Sequence, residues 1–113
     1  MNTNFQLTVA AGDYESIRAV KEGLVKPDGI ELTILTDMTA EVRHARMLRG
    51  RQFDVAELSM SNYMVAKDNS LPFIAIPVFL HRRFRHGFAF VNTTKGIDKP
   101  TDLIGKKVGI VAL

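Results

Sequence analysis

Apolar residues recur along this chain with two periods, and the switches between the periods mark its elements. Phe5, Leu7 and Val9 alternate with polar neighbours, which predicts a strand running into Ala10-Ala11-Gly12. Asp13 then offers an N-cap, with Glu15 in the first turn, for a helix whose apolar positions are Ile17, Val20 and Leu24. Lys26-Pro27-Asp28-Gly29 reads as a turn, and Ile30, Leu32 and Ile34 as a second alternating strand. A helix begun by Asp37 or Thr39 carries Met38, Val42, Ala45 and Leu48 on one stripe and stops at Gly50.

The pattern continues with a short strand over 53–58 and a third helix, capped by Ser59 or Ser61, that ends near Asn69-Ser70. Residues 73–79 are almost unbroken apolar sequence, as expected of a strand covered on both faces, with Pro72 and Pro77 at its edges or at a bulge. Phe88 and Phe90 mark a fifth strand, Pro100 to Leu103 a helical turn, and 107–111 a last strand. Met38, Met47, Met60 and Met64 sit at helical positions and read as core filler. Strands alternating with helices predict an α/β fold with a doubly wound, mostly parallel sheet. The chain stops just after an apolar strand, which gives it the look of part of something longer.

Composition narrows this picture without changing it. At 113 residues, 46% hydrophobic and 24% charged, the chain has the balance of one globular domain. It lacks Cys, so thiolate metal sites and disulfides are excluded. A net charge of +3 is less than nucleic-acid binders concentrate, and no nucleic-acid motif is present; no nucleic-acid partner is expected. The N-terminus lacks a basic segment followed by an apolar one, and the longest apolar run is far shorter than a membrane span. A cytoplasmic protein without a membrane partner is the expectation; a processed export product would read the same.

Candidate chemistry gathers where three predicted strands end. In open α/β sheets, ligands lie beyond the carboxyl ends of the strands, near helix N-termini whose free N–H groups favour anions. Gly12-Asp13-Tyr14, Ser59-Met60-Ser61-Asn62 and the basic run from His81 to His86 occupy such positions. Five of the six residues in that run are Arg or His. Guanidinium forks match carboxylates, so Arg82, Arg83 and Arg85 read as a clamp on a small acid or as a solvated basic loop. Arg85 is the best placed, bracketed by Phe84 and Gly87. His86, at the predicted start of a strand, is a candidate proton donor or a backbone-bonded imidazole. Ser59, Ser61 and Asp13 are caps that can also face a ligand, and Tyr14 could stack on an aromatic one or belong to the core. Glu57 has three readings: an acid–base group, an arginine's partner or a surface residue. His81 and His44 are weaker candidates. There is no metal-ligand spacing, no Gly-rich phosphate loop and no G-x-S-x-G pattern.

Several stretches carry a family resemblance: AAGDYESIRAV, KPDGIEL, FDVAELSMSNYMVAK, PFIAIPVF, FRHGFAFVN and GIDKPTDLIGKKVGI. In this order they resemble the N-terminal part of the 4,5-dihydroxyphthalate decarboxylase-like family, a branch of the type II periplasmic-binding-protein fold. TDLIGKKVGI is shared widely among solute-binding proteins, whereas FDVAELSMSNY with PFIAIPVFLHRRFRH is narrower. The resemblance implies a truncated first lobe over 1–92, then a hinge crossover and the first strand of a missing second lobe over 93–113. It implies loss of CO₂ from a dihydroxylated aromatic dicarboxylate without an organic cofactor. For that reaction Arg85, with Arg83 and Arg82, is the candidate carboxylate anchor, His86 the candidate proton donor and Glu57 a further catalytic candidate, with Ser59, Ser61, Asn62, Asp13 and Tyr14 as substrate-binding residues. A binding-only solute receptor or sensor for an anionic small molecule is the alternative. As an isolated lobe the chain would leave strand edges open, which predicts a homo-oligomer or swapped dimer.

Overall fold

The computed structural model describes residues 5–110. Three parallel strands form its sheet, β1 (Phe5–Ala10), β2 (Ile30–Leu35) and β3 (Val55–Ala56), in the order β2-β1-β3. β1 pairs with β2 from Phe5–Ile30 to Ala10–Leu35, and with β3 through Val9–Val55 and Ala10–Ala56. β3 is shorter than the predicted 53–58 because its ladder is taken over at one end. The Thr8 amide donates to the Asp54 carboxylate at 2.8 Å, where a strand would offer a carbonyl. At the other end Glu57 keeps one ladder bond, from its N–H to the Ala10 carbonyl at 2.8 Å.

Between the strands run a 3-10 turn (Glu15–Ile17) leading into α1 (Arg18–Lys21), then α2 (Ala40–Gly50); α3 (Met60–Asp68) follows β3. Thr39 rather than Asp37 caps α2, and Ser59 rather than Ser61 caps α3, its hydroxyl accepting from the Asn62 amide at 3.2 Å. Asp13 caps nothing: Tyr14 stands at the N-cap, and the Asp13 carboxylate instead accepts from Lys21 at 2.7 Å. α1 ends well before Leu24, which is exposed.

Two compact units are present, one ending at His81 and the other beginning at Arg82. In the first, Ala10, Ala11, Phe53 and Ala66 are buried, and the largest fully buried side chain is that of Arg43. Along the predicted stripe of α2, Met38, Ala45 and Leu48 are half-buried, so the stripe is present except at Val42. Val42 is exposed, while Arg43 is buried and His44, Met47 and Leu48 are half-buried. Met60 and Met64 are exposed too, against their reading as core filler. Residues 73–79 form no strand, and Ile74 is 91% exposed. A strand buried on both faces needs neighbours in the sheet and a layer on each side, and the described residues supply neither.

The second unit contains 3-10 turns at Arg85–Phe88, Thr93–Lys95 and Pro100–Leu103. The helical turn expected at 100–103 is present, with the Asp102 carboxylate accepting from the amides of Asp98 and Lys99. The strand expected at Phe88 and Phe90 is absent, because tight i+3 turns occupy its start: the Gly87 amide reaches the Phe84 carbonyl and Ala89 reaches His86. Residues 107–110 are not a strand, and 111 lies outside the described residues. Among the described residues no helix is long and apolar enough to cross a membrane.

Ser59→Ala should lower the unfolding free energy by about 1 kcal/mol through loss of the α3 cap. Ser61→Ala should stay within about 0.5 kcal/mol. Urea denaturation of the two variants measures the difference.

Candidate functional site

The order β2-β1-β3 creates a switch point between β1 and β3, and the chain places its buried polar groups there. β1 hands on toward β2 at one side, while β3 lies on the other, and parallel pairing brings the carboxyl ends of β1 and β3 to the same edge. Gly12 and Tyr14 leave β1 there, and Glu57, Ser59 and Ser61 leave β3.

Glu57 is the hub. Its Oε2 accepts from the Gly12 amide at 3.0 Å and from Arg43 Nη2 at 2.6 Å, and its Oε1 accepts from the Tyr14 hydroxyl at 2.9 Å. Arg43 reaches this carboxylate from α2 with its side chain only 2% exposed, and its Nη1 also donates to the Met38 carbonyl at 3.1 Å. Of the three sequence readings of Glu57, the geometry is that of an arginine's partner. The cluster is expensive: both ions leave water, and Arg43 Nε has no hydrogen-bond partner among the described residues.

Gly12 lets Tyr14 lie close. The Tyr14 amide donates to the Gly12 carbonyl at 2.9 Å, and a Cβ at Gly12 would fall 2.5 Å from the Tyr14 ring. The ring also stacks on His81, with centroids 5.3 Å apart and planes 22° from parallel. Beside the hub, Ser59 and Ser61 hydroxyls lie 3.2 Å apart at the start of α3. The Asn62 side-chain amide approaches His44 Nδ1 at 3.3 Å; an amide nitrogen only donates, so Nδ1 accepts. Burial, then the positive charge of Arg43, hold the His44 pKa below its ordinary 6.5, against the weaker opposing pull of Glu57 and Glu41.

The structure thus brings Tyr14 to Glu57, and Ser59 to Ser61 and Asn62, while Asp13 points to Lys21 in solvent. Arg82, Arg83, Arg85 and His86 belong to the second unit and are all exposed. Within that unit the Arg85 guanidinium lies over the Phe88 ring at 5.6 Å, and His86 lies in a 3-10 turn rather than at the start of a strand. Among the described residues no group of acidic and His side chains is arranged to hold a metal. Sequence reasoning missed Arg43. Two signals pointed to it: its i+4 spacing from the Thr39 cap and to Met47 on one helix face, and Glu57, an acid at the end of an otherwise apolar strand that needs a cation.

Comparison with known proteins shows the family to which the chain is similar. A family model described as NMT1/THI5 like matches residues 15–113. A 4,5-dihydroxyphthalate decarboxylase from Comamonas testosteroni is 36% identical over 109 residues, covering 96% of this chain and 33% of the relative. A protein of the same name from Pseudomonas putida is 35% identical over 105 residues, covering 92% of this chain and 40% of that relative. The chain therefore spans a third to two fifths of the length of these curated relatives.

Arg43→Ala should cost about 3–5 kcal/mol of stability, because the Glu57 carboxylate is left half-buried without its cation; chemical denaturation measures it. His44 gives a pH dependence. Its folded pKa is depressed, so its stabilising effect is present above about pH 6.5 and is lost as pH falls through the folded value. Thermal unfolding between neutral and mildly acidic pH should show a steeper loss for the wild type than for His44→Gln.

Proposed function

The chain belongs to the NMT1/THI5-like family, whose fold is that of periplasmic binding proteins, and we propose that it forms the strand-end rim of an aromatic-dicarboxylate decarboxylase. The proposed substrate is 4,5-dihydroxyphthalate or a close analogue. One observation carries this: similarity to two 4,5-dihydroxyphthalate decarboxylases extends over more than nine tenths of the chain, through both loops that build the Glu57 cluster.

The rim suits a flat acid. The free N–H groups at the start of α3, with the Ser59 and Ser61 hydroxyls beside them, offer donors to one carboxylate. Tyr14 and His81, stacked on one another after β1, offer aromatic surface. In the reaction, the hydroxyl para to the departing carboxylate pushes electron density into the ring, and the carboxylate-bearing carbon takes a proton. The C–C bond then breaks, its electron pair returns to the ring, and CO₂ leaves. The protein must hold the remaining carboxylate, supply that proton and orient the phenol. On their chemistry, His86 is the proposed proton donor, and Arg85, with Arg82 and Arg83, the proposed anchor for a carboxylate. Glu57, with both oxygens engaged, is better suited to orienting Tyr14 than to proton transfer.

That engagement of Glu57 also favours a second reading, in which the rim holds an anionic aromatic ligand and performs no chemistry. Incubating the full-length gene product with 4,5-dihydroxyphthalate separates the two. The enzyme releases one CO₂ for each 3,4-dihydroxybenzoate formed. A thermal upshift with the diacid and no CO₂ would favour the receptor, and neither effect would contradict both.

A further inference from the structure

We propose that Arg43 is a positioning residue for ligand recognition: by pinning the Glu57 carboxylate it holds Tyr14 over Gly12 and against His81, so that the Tyr14–His81 pair forms a flat surface for a planar aromatic acid. This rests on the ligand class proposed above and adds the residues that shape its contact.

The chain of contacts is continuous. Arg43 is fixed at both terminal nitrogens, by the Met38 carbonyl and by Glu57, and is almost wholly buried, so it has little freedom to move. Glu57 is fixed by Arg43, by the Gly12 amide and by its own ladder bond to Ala10. Its second oxygen therefore lies at a set point at the end of β3, and the Tyr14 hydroxyl is bonded to that point. The Tyr14 ring is confined further by the turn to the Gly12 carbonyl and by the absence of a Cβ at Gly12. The stack on His81 completes the surface, and His81 is exposed, so a ligand can reach it. Aromatic rings gain affinity from offset stacking, and a ring that is already immobilised loses less entropy on binding. Arg43 touches no ligand in this scheme. It acts through Glu57 and then through Tyr14.

The test exploits the absence of Trp and the presence of two tyrosines. In a Tyr63→Phe background the near-ultraviolet tyrosine band reports the immobilisation of Tyr14. Replacing both partners at once, as Arg43→Met with Glu57→Leu, leaves no unpaired buried charge and should preserve the far-ultraviolet spectrum. The expected result is loss of more than half of the Tyr14 band, loss of the ring-current shift on the His81 imidazole resonances, and about tenfold weaker binding of 4,5-dihydroxyphthalate. Arg43→Lys, which keeps a cation within reach of Glu57, should restore most of the band. Should the double variant fail to fold, Tyr14→Phe removes only the hydroxyl link and should weaken diacid binding several-fold. An unchanged Tyr14 band in a folded double variant, or unchanged affinity in Tyr14→Phe, would overturn the proposal. If the diacid does not bind the unsubstituted protein, the ligand class is wrong, while the band and the His81 resonances still judge whether Arg43 positions Tyr14.

Discussion

A buried ion pair organises the first unit. The Arg43 guanidinium and the Glu57 carboxylate meet at 2.6 Å with the arginine almost wholly excluded from water. Taking two ions out of water costs several kcal/mol each, and only close geometry with further hydrogen bonds offsets it. Those further bonds fix the local structure. The Met38 carbonyl, the Gly12 amide and the Tyr14 hydroxyl all converge on the pair, so the start of α2, the loop after β1 and the end of β3 are held to one another. Among the described residues the buried apolar ones are Ala10, Ala11, Phe53 and Ala66, so this polar junction adds geometric specification to a small core.

Topology puts the junction where it can be used. Strand order β2-β1-β3 puts a switch point between β1 and β3, and parallel strands direct both carboxyl ends to the same edge. After β3 stand backbone donors at the start of α3 with two hydroxyls, and after β1 stands Tyr14, stacked on His81. Such a surface suits a flat anion.

The parts legible in the sequence were those written in local chemistry. Alternating Phe5, Leu7 and Val9 gave β1, the Pro27-Asp28-Gly29 turn set the start of β2, and Ser59 marked the start of α3. The parts that misled depended on partners. Residues 73–79 have the pattern of a covered strand, but pattern states only that burial is favourable; contact needs a neighbouring layer, and Ile74 and Phe79 are exposed. Two of the methionines on α3 went wrong for the same reason. Arg43 failed in the opposite direction: an arginine is expected at the surface, and only its pairing with an acid that is 45 residues away from Gly12 in sequence, yet bonded to it, accounts for its burial. Glu57 was singled out, but composition could not choose between its three roles.

The central claim, proposed above, is that the loops after β1 and β3 receive a planar aromatic acid. Titrating the ¹⁵N-labelled protein with 4,5-dihydroxyphthalate and following backbone amide shifts tests it most directly. The account predicts saturable shifts concentrated at residues 11–14, 57–62 and His81. Shifts confined to other surfaces, or none at saturating diacid, would contradict it.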